Sequence, residues 1–157
     1  MILDAPRGVT PAYFQLEQSM TSICAVTCVQ LDDDQRLRHP TAIFGVHFPF
    51  RVEPLIYTFA GTLSRDYRGG YWEMYALCNG GYYMAPNRKE HFHVACENGY
   101  LGRLSADALG ITACLYIYSQ LSFGGGNLAD ICARQHHLLR ELMLDHPEAE
   151  AILAATD

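Results

Sequence analysis

The stretch of residues 65–86, RDYRGGYWEMYALCNGGYYMAP, contains five of the chain's ten tyrosines, its only tryptophan and four glycines in two adjacent pairs. Residues 71–77 alternate between two sets of side chains, as in a β-strand with one face buried. Asn79 and Gly80 follow this run and are a strong signal for a β-hairpin turn. The stretch therefore predicts a hairpin, and Gly69 and Gly70 lie where the chain must reverse to enter it.

The second glycine of the later pair sets the expected register. A two-residue turn at Asn79 and Gly80 does not explain why a second glycine follows. A three-residue loop over residues 79–81 does, because it uses Gly81 as the left-handed residue of a bulge. One uncharged face then holds Trp72, Met74, Ala76, Cys78, Tyr82 and Met84. We expect that face to be core and the opposite face to be wetter and available for contact with another protein. The wetter face carries Tyr71, Glu73, Tyr75 and Tyr83.

Other patterns predict the remaining elements. Residues 23–31 alternate and are rich in β-branched side chains, which indicates a strand. Residues 32–40 break that pattern and are assigned no element. A helical stripe starts near residue 51 and ends at Leu63. A weaker signal, Thr10 followed by Pro11, is typical of a helix start.

The C-terminal half reads as two short strands followed by helices. Residues 91–96 predict a third strand, and a turn leads from it into residues 100–104. Ser105 is the expected N-cap of a buried helix over residues 106–121, with Asp107 in its first turn. Two more helices are predicted, over residues 128–142 and 148–155. This order predicts an α+β fold in which a small antiparallel sheet packs against helices in two layers.

The composition is that of a single globular domain. Apolar residues make up 50% of the 157 residues and charged residues 18%, and no apolar run reaches the roughly 18 residues of a membrane span. We expect one domain over residues 1–157, with residues 1–30 poorly defined. The chain starts without the pattern of a secretory signal, so a cytoplasmic location is expected. Six scattered cysteines predict reduced, mostly buried thiols.

Charge is unevenly distributed. Residues 141–157 hold five acids and no base, whereas residues 1–140 hold 12 acids and 11 bases. The body lacks the basic face that nucleic-acid binding requires, so we expect no direct binding to DNA or RNA. The acids are also too few to imitate a DNA duplex, which carries about one charge per 1.7 Å. Glu148, Glu150 and Asp157 of the acidic tail are candidates for contact with a protein.

Three arrangements could carry catalysis or bind a metal. In a strand, His91 and His93 share a face, but Cys96 falls on the other, which weakens a zinc site that includes Cys78 of the hairpin. Cys132 and His136 face each other on a helix, yet Cys132 lies on its apolar stripe. Capping accounts for Ser105 and Asp107. A small Cys/His or metal-dependent hydrolase is the alternative to a binding protein, and no cofactor is expected.

Four segments resemble the ArdB/KlcA antirestriction proteins, small proteins carried on plasmids and genomic islands. They are DDQRLRHPTAIFG (residues 33–45), DYRGGYWEMYALCNGGYYMAP (66–86), GYLGRLSADALGI (99–111) and DHPEAEAILAATD (145–157). The resemblance implies a compact α/β fold, and inhibition of DNA cleavage by type I restriction-modification systems while methylation is largely spared. It implies no DNA mimicry and supplies no catalytic motif. The expected partner is the restriction enzyme itself or an accessory host factor.

Overall fold

The structure is a computed structural model that describes residues 24–157. Within that range the chain forms two antiparallel sheets and five α-helices. The strands are β1 Cys28–Gln30, β2 Trp72–Leu77, β3 Tyr82–Pro86, β4 Phe92–Ala95 and β5 Leu101–Leu104. The helices are α1 Asp33–Phe44, α2 Glu53–Leu63, α3 Ala106–Ser122, α4 Asn127–Leu144 and α5 Ala149–Thr156, and a π-helical turn at Phe48–Val52 leads into α2. The α+β class is confirmed.

The hairpin of β2 and β3 is present with the predicted faces. Met74 pairs with Met84, and Tyr75 pairs with Tyr83. The loop, however, lies one residue earlier than predicted: the Leu77 N–H donates to the Gly81 carbonyl, and Gly80 has φ of +94°. Gly80, not Gly81, is therefore the left-handed residue that the bulge requires. The correct register differs by two residues from the predicted one, and a shift of two leaves the side chains within the strands on their expected faces. Cys78, predicted on the core face, falls in the loop and is exposed.

The single sheet predicted from sequence is divided in two. β1 pairs with β2, which gives a three-stranded sheet in the order β1-β2-β3. β4 does not join the hairpin; it pairs with β5 through contacts such as Val94 with Gly102. β1 spans only three exposed residues of the nine predicted, and Ile23 lies outside the described residues. The suggested helix at Thr10 and Pro11 also lies outside them.

Residues 32–40, to which the sequence pattern assigns no element, contain the start of helix α1. Its first turn is fixed by a capping box: the Asp32 side chain accepts from the Gln35 N–H, and the Gln35 side chain accepts from the Asp32 N–H. Only Pro40 and Phe44 of this helix are buried. The apolar periodicity is therefore weak, although the capping pattern was readable in the sequence.

Helix α3 is the central element and lies along the outer edge of β3. The Tyr118 hydroxyl donates to the Tyr82 carbonyl at 2.8 Å, and the Cys114 thiol donates to the Met84 carbonyl at 3.7 Å. These bonds satisfy carbonyls that an edge strand would otherwise leave open. Gly110 permits the close approach, because a Cβ there would lie 2.4 Å from the Met84 carbonyl oxygen.

The core extends from the hairpin to the C-terminal helices. Trp72 is buried, and its ring nitrogen donates to the Tyr67 hydroxyl at 2.9 Å. The helices predicted from residue 51 onward are confirmed, including the Ser105 cap on α3. The expectation of mostly buried thiols is wrong, because only Cys114 and Cys132 of the six are fully buried. No helix within residues 24–157 combines the length and apolar character needed to cross a membrane.

Candidate protein-contact site

Glu73 lies on the outer face of β2 and is held by neighbours from three segments. Its carboxylate accepts from Gln30 Nε2 at 2.8 Å and from Asn87 Nδ2 at 3.2 Å, and lies 3.7 Å from the Arg36 guanidinium. The Glu73 side chain is only 16% exposed. A carboxylate with these partners has a fixed orientation in the absence of a ligand. Glu73 therefore forms part of the wall of this surface and does not extend freely into solvent.

Tyr71 is the most exposed of the predicted contact residues on the hairpin. Its side chain is 55% exposed, and the Arg36 guanidinium carbon lies 4.6 Å from the ring centroid. Arg36 also donates to the Trp72 carbonyl at 2.7 Å, which fixes its position under the tyrosine. An exposed aromatic ring supported by a fixed guanidinium is a typical protein-contact pair.

Tyr83 does not belong to the exposed surface. Its side chain is buried, stacks on Tyr75 at a centroid distance of 4.7 Å, and donates its hydroxyl hydrogen to Asp107 Oδ1 at 2.8 Å. Burial and the adjacent Asp107 carboxylate raise the pKa of Tyr83 far above its ordinary value. The prediction that Tyr83 is available for contact is wrong because β3 is covered on both faces. Tyr75 is half-buried and remains partly accessible.

A polar network joins the hairpin to the ends of α3 and α4. Asp107 Oδ2 lies 3.0 Å from His146 Nε2, and His146 Nδ1 accepts from the Glu148 N–H at 2.9 Å. Since Nδ1 is an acceptor, the ring hydrogen sits on Nε2 and is donated to Asp107. The Glu148 carboxylate accepts from both the N–H and the hydroxyl of Ser105. Asp107 therefore does more than complement the helix dipole.

This network does not form a catalytic triad. The Ser105 hydroxyl hydrogen points to Glu148, and its oxygen accepts from the Ala108 N–H at 3.1 Å. Both nitrogens of His146 are occupied by Asp107 and the Glu148 N–H, so the histidine does not contact the serine hydroxyl as it would in a triad.

A depression of about 390 Å³ lies between the hairpin and the start of α3. Its walls include Glu73, Tyr75, Asn87, Arg88 and Asp107. Predicted contact residues of the hairpin thus border the same concave surface as the polar network. We call this depression, together with Tyr71 and Arg36, the hairpin surface.

The acidic tail divides into bound and exposed carboxylates. Glu148 is half-buried and engaged with Ser105, so it is part of the fold. Glu150 and Asp157 are exposed, one in the first turn of α5 and the other just after it. Two of the three predicted tail residues therefore remain accessible.

The residues considered for an enzyme are not assembled into a reactive centre. Cys132 is buried, and that burial raises the pKa of its thiol to about 11, which disfavours the reactive thiolate. Burial lowers the pKa of His136. His93 is held by Asp66, whose Oδ2 lies 2.9 Å from Nδ1. Within residues 24–157, no three His, Cys, Asp or Glu side chains are grouped closely enough to hold a metal ion.

Comparison with known proteins places the chain in a class. A family model described as antirestriction protein matches residues 65–157, the region that contains the hairpin, α3 and the polar network. The chain belongs to this antirestriction family.

Individual relatives match across most of the chain. The antirestriction protein KlcA of Escherichia coli is 38% identical over 135 residues, which cover 84% of this chain and 95% of KlcA. The uncharacterised protein YfjX of Escherichia coli K12 is 31% identical over 153 residues, 94% of this chain and 99% of the relative. A solved chain from work on KlcA and ArdB superposes with a TM-score of 0.78 at 38% identity, covering 84% of this chain and 95% of that one. KlcA and ArdB are described there as having a novel fold and antirestriction activity against type I DNA restriction systems in vivo but not in vitro.

Sequence reasoning missed Arg36, Asp107 and His146 as members of the site. Arg36 follows the capping box of α1, so recognising that box would have placed it on a helix. Asp107 and His146 are 39 residues apart in the chain, and their contact depends on the packing of α4 against α3, which local patterns do not report.

Proposed function

We propose that this protein prevents cleavage of unmodified DNA by type I restriction-modification systems while leaving methylation in place. The observation that carries the proposal is the 38% identity to the antirestriction protein KlcA over 95% of that protein's length. The protein acts in the cytoplasm as a non-enzymatic inhibitor. It neither imitates nor binds DNA, which agrees with a body of 12 acids and 11 bases before residue 141.

The partner is the restriction enzyme or an accessory host factor. The description of relatives as active in vivo but not in vitro supports the accessory factor, because a reaction with purified enzyme would lack it. The hairpin surface is the proposed contact, with Tyr71 as its exposed aromatic anchor and Glu73 and Tyr75 beside it. Glu150 and Asp157 of the acidic tail offer a second, acidic contact.

Plating of unmodified phage tests the activity. A host with a type I system is infected with and without expression of this chain, and we expect expression to raise the plating efficiency. Phage released from those cells is then plated on a second restricting host. Continued high efficiency there indicates that methylation was spared, whereas equal plating in the first step refutes the proposal.

Matched variants test the contact surface. Tyr71→Ala removes the exposed ring and should reduce protection roughly tenfold, the effect of losing an aromatic hot spot. Phe123→Ala is the control, because Phe123 is 87% exposed and lies outside the hairpin surface. Equal losses in both variants, or none in Tyr71→Ala at matched expression, would remove the hairpin surface from the proposal.

A pulldown identifies the partner. The tagged chain is recovered from cells with and without the type I system. Recovery of restriction subunits supports direct action; recovery of the same host protein from both cell types supports the accessory route. Loss of that protein in the Tyr71→Ala pulldown links it to the hairpin surface.

A further inference from the structure

The sheet of β4 and β5 has an outer face that no part of residues 24–157 covers. Phe92, Val94 and Leu104 point inward and are buried. The outward residues are paired across the strands, His93 with Arg103 and Ala95 with Leu101. All four outward residues are exposed, and Leu101 is 75% exposed.

A cleft of about 780 Å³ lies between this face and the end of α2. This volume falls within the roughly 300–1,000 Å³ typical of binding pockets. Its lining combines an aliphatic floor with a charged rim. The exposed aliphatic residues are Ala95 and Leu101, the buried ones are Leu63 and Val94, and the charged or ionisable ones are Arg65, Asp66, His93 and Arg103.

The edge of β4 beside the cleft is only partly closed. The Cys96 N–H donates to the Tyr100 carbonyl, and antiparallel alternation then directs the backbone groups of His93 and Ala95 away from β5. Asp66 accepts the outward His93 N–H at 2.9 Å. The Ala95 N–H has no acceptor within residues 24–157, so this edge can pair with one more extended segment.

The rim is positive in an otherwise acidic protein. Neither Arg65 nor Arg103 has an acidic partner within 4.0 Å among residues 24–157, although the chain carries a net charge of −6. Asp66, the acid of the cleft, is engaged by His93 through both the backbone N–H and the ring. Two guanidiniums therefore remain available to carboxylates of a ligand.

We propose that this cleft binds an extended acidic segment of a partner protein, in which carboxylates contact Arg65 and Arg103 and alternate aliphatic side chains contact Leu101. Successive side chains of an extended chain point to opposite sides. A segment that alternates aliphatic and acidic residues can therefore direct one set to the aliphatic floor and the other to the arginines of the rim. Nucleic acid fits less well, because the cleft-lining residues within 24–157 include no Phe, Tyr or Trp for base stacking. The cleft shares no residue with the hairpin surface, so the proposal does not depend on the proposed function.

Fluorescence anisotropy with the purified full chain tests the proposal. The probe is a fluorescein-labelled peptide of eight residues in which glutamate and valine alternate. We expect saturable binding that the double variant Arg65→Glu/Arg103→Glu weakens roughly tenfold or more, as expected for reversing two contacts at the rim of an interface. Arg134→Glu/Arg140→Glu is the control, because both arginines are exposed on α4 and the change in net charge is the same.

Two further probes separate the alternatives. A peptide in which serine replaces valine should bind several-fold more weakly, and Leu101→Ser should weaken the valine peptide in the same way. A single-stranded DNA of 20 nucleotides should not displace the labelled peptide in the same buffer. Circular dichroism establishes that each variant, all at exposed positions, retains the native fold before binding is compared.

Four results would overturn the proposal: no saturable binding up to millimolar protein, equal weakening by the two double variants, equal binding of the serine and valine peptides, or tighter binding of DNA that depends on Arg65 and Arg103. The first excludes this class of ligand, the second reduces the effect to net charge, the third excludes the aliphatic floor, and the fourth assigns the cleft to nucleic acid. Phage plating is not part of this test, so its outcome is separate from that of the proposed function.

Discussion

Replacing Gly110 with alanine should destabilise this protein strongly, although alanine is the better helix former. Gly110 lies in the first half of α3, where the helix meets β3. An added Cβ would lie 2.4 Å from the Met84 carbonyl oxygen and 2.5 Å from both Cα and Cβ of Ala85. Ordinary contacts start near 3.4 Å, so α3 would have to move by about 1 Å, and strand backbone cannot yield as a flexible side chain does.

The magnitude follows from what that movement disrupts. Overpacking alone costs about 1–3 kcal/mol. A 1 Å displacement also breaks the 2.8 Å bond from the Tyr118 hydroxyl to the Tyr82 carbonyl, and leaving such buried groups unpaired costs about 1–3 kcal/mol. The better helix propensity of alanine offsets about 1 kcal/mol of this loss. The net loss in the free energy of unfolding is therefore about 3 kcal/mol.

Gly61→Ala in α2 is the matched control. Among residues 24–157, a Cβ at Gly61 would meet only the Tyr67 ring, at an ordinary 3.8 Å, so propensity acts alone and should stabilise by up to about 1 kcal/mol. Urea unfolding followed by circular dichroism measures both variants. With an m-value of roughly 2 kcal/mol/M, the midpoint should fall by about 1.5 M for Gly110→Ala and rise slightly for Gly61→Ala. A Gly110→Ala midpoint at or above that of the natural chain would refute the close approach of α3 to β3.

Three other changes test the core and the hairpin. Trp72→Ala should cost about 3–5 kcal/mol in urea unfolding, because the ring is 2% exposed and hydrogen-bonded to Tyr67; lost antirestriction with unchanged melting would instead make Trp72 a contact residue. Gly81→Val should destabilise by about 1–3 kcal/mol through crowding, because a Cβ would lie 2.7 Å from Leu77 Cδ1 and 3.1 Å from Leu138 Cβ, and not through a positive φ; an unchanged melting temperature would contradict this. Burial raises the pKa of the Cys114 thiol from 9.0 to about 12. The neutral thiol therefore makes its full contribution to the free energy of unfolding below pH 9, and this contribution is lost as the pH rises toward 12. Between pH 8 and pH 10 the natural chain should lose about 1 kcal/mol more stability than Cys114→Ala, and equal losses would place the thiol in water.

Much of the fold could be predicted because local patterns carry it. The cap at Ser105 and the apolar stripes give the limits of the later helices within one or two residues. The faces of the hairpin survive a wrong loop, because an error of two residues preserves alternation. The hydrophobic pattern does not predict helix α1, because the helix buries little: only Pro40 and Phe44 of its residues are buried. Its capping box was a better signal than its hydrophobicity.

Other features depend on contacts between distant segments. The pattern of residues 91–96 indicates a strand but contains nothing that selects β5 over the hairpin as its partner. Tyr83 alternates correctly and is still buried, because Asp107 and Tyr75 cover the face that the pattern assigns to water. Alternation reports which side a residue points to; it does not report what lies on that side.

The segments that carry the family resemblance converge on the polar network. Tyr83 comes from the second of the four, Asp107 from the third and His146 from the fourth, and the three side chains are joined by bonds of 2.8 and 3.0 Å. Gly110 of the third segment likewise serves the contact with β3. The residues that identify the family are thus residues that hold the fold, and a variant in them that abolishes antirestriction must be shown to fold before it is assigned a contact role. Partner contacts should be sought instead among exposed neighbours such as Tyr71, where truncation removes a surface ring and leaves the network intact.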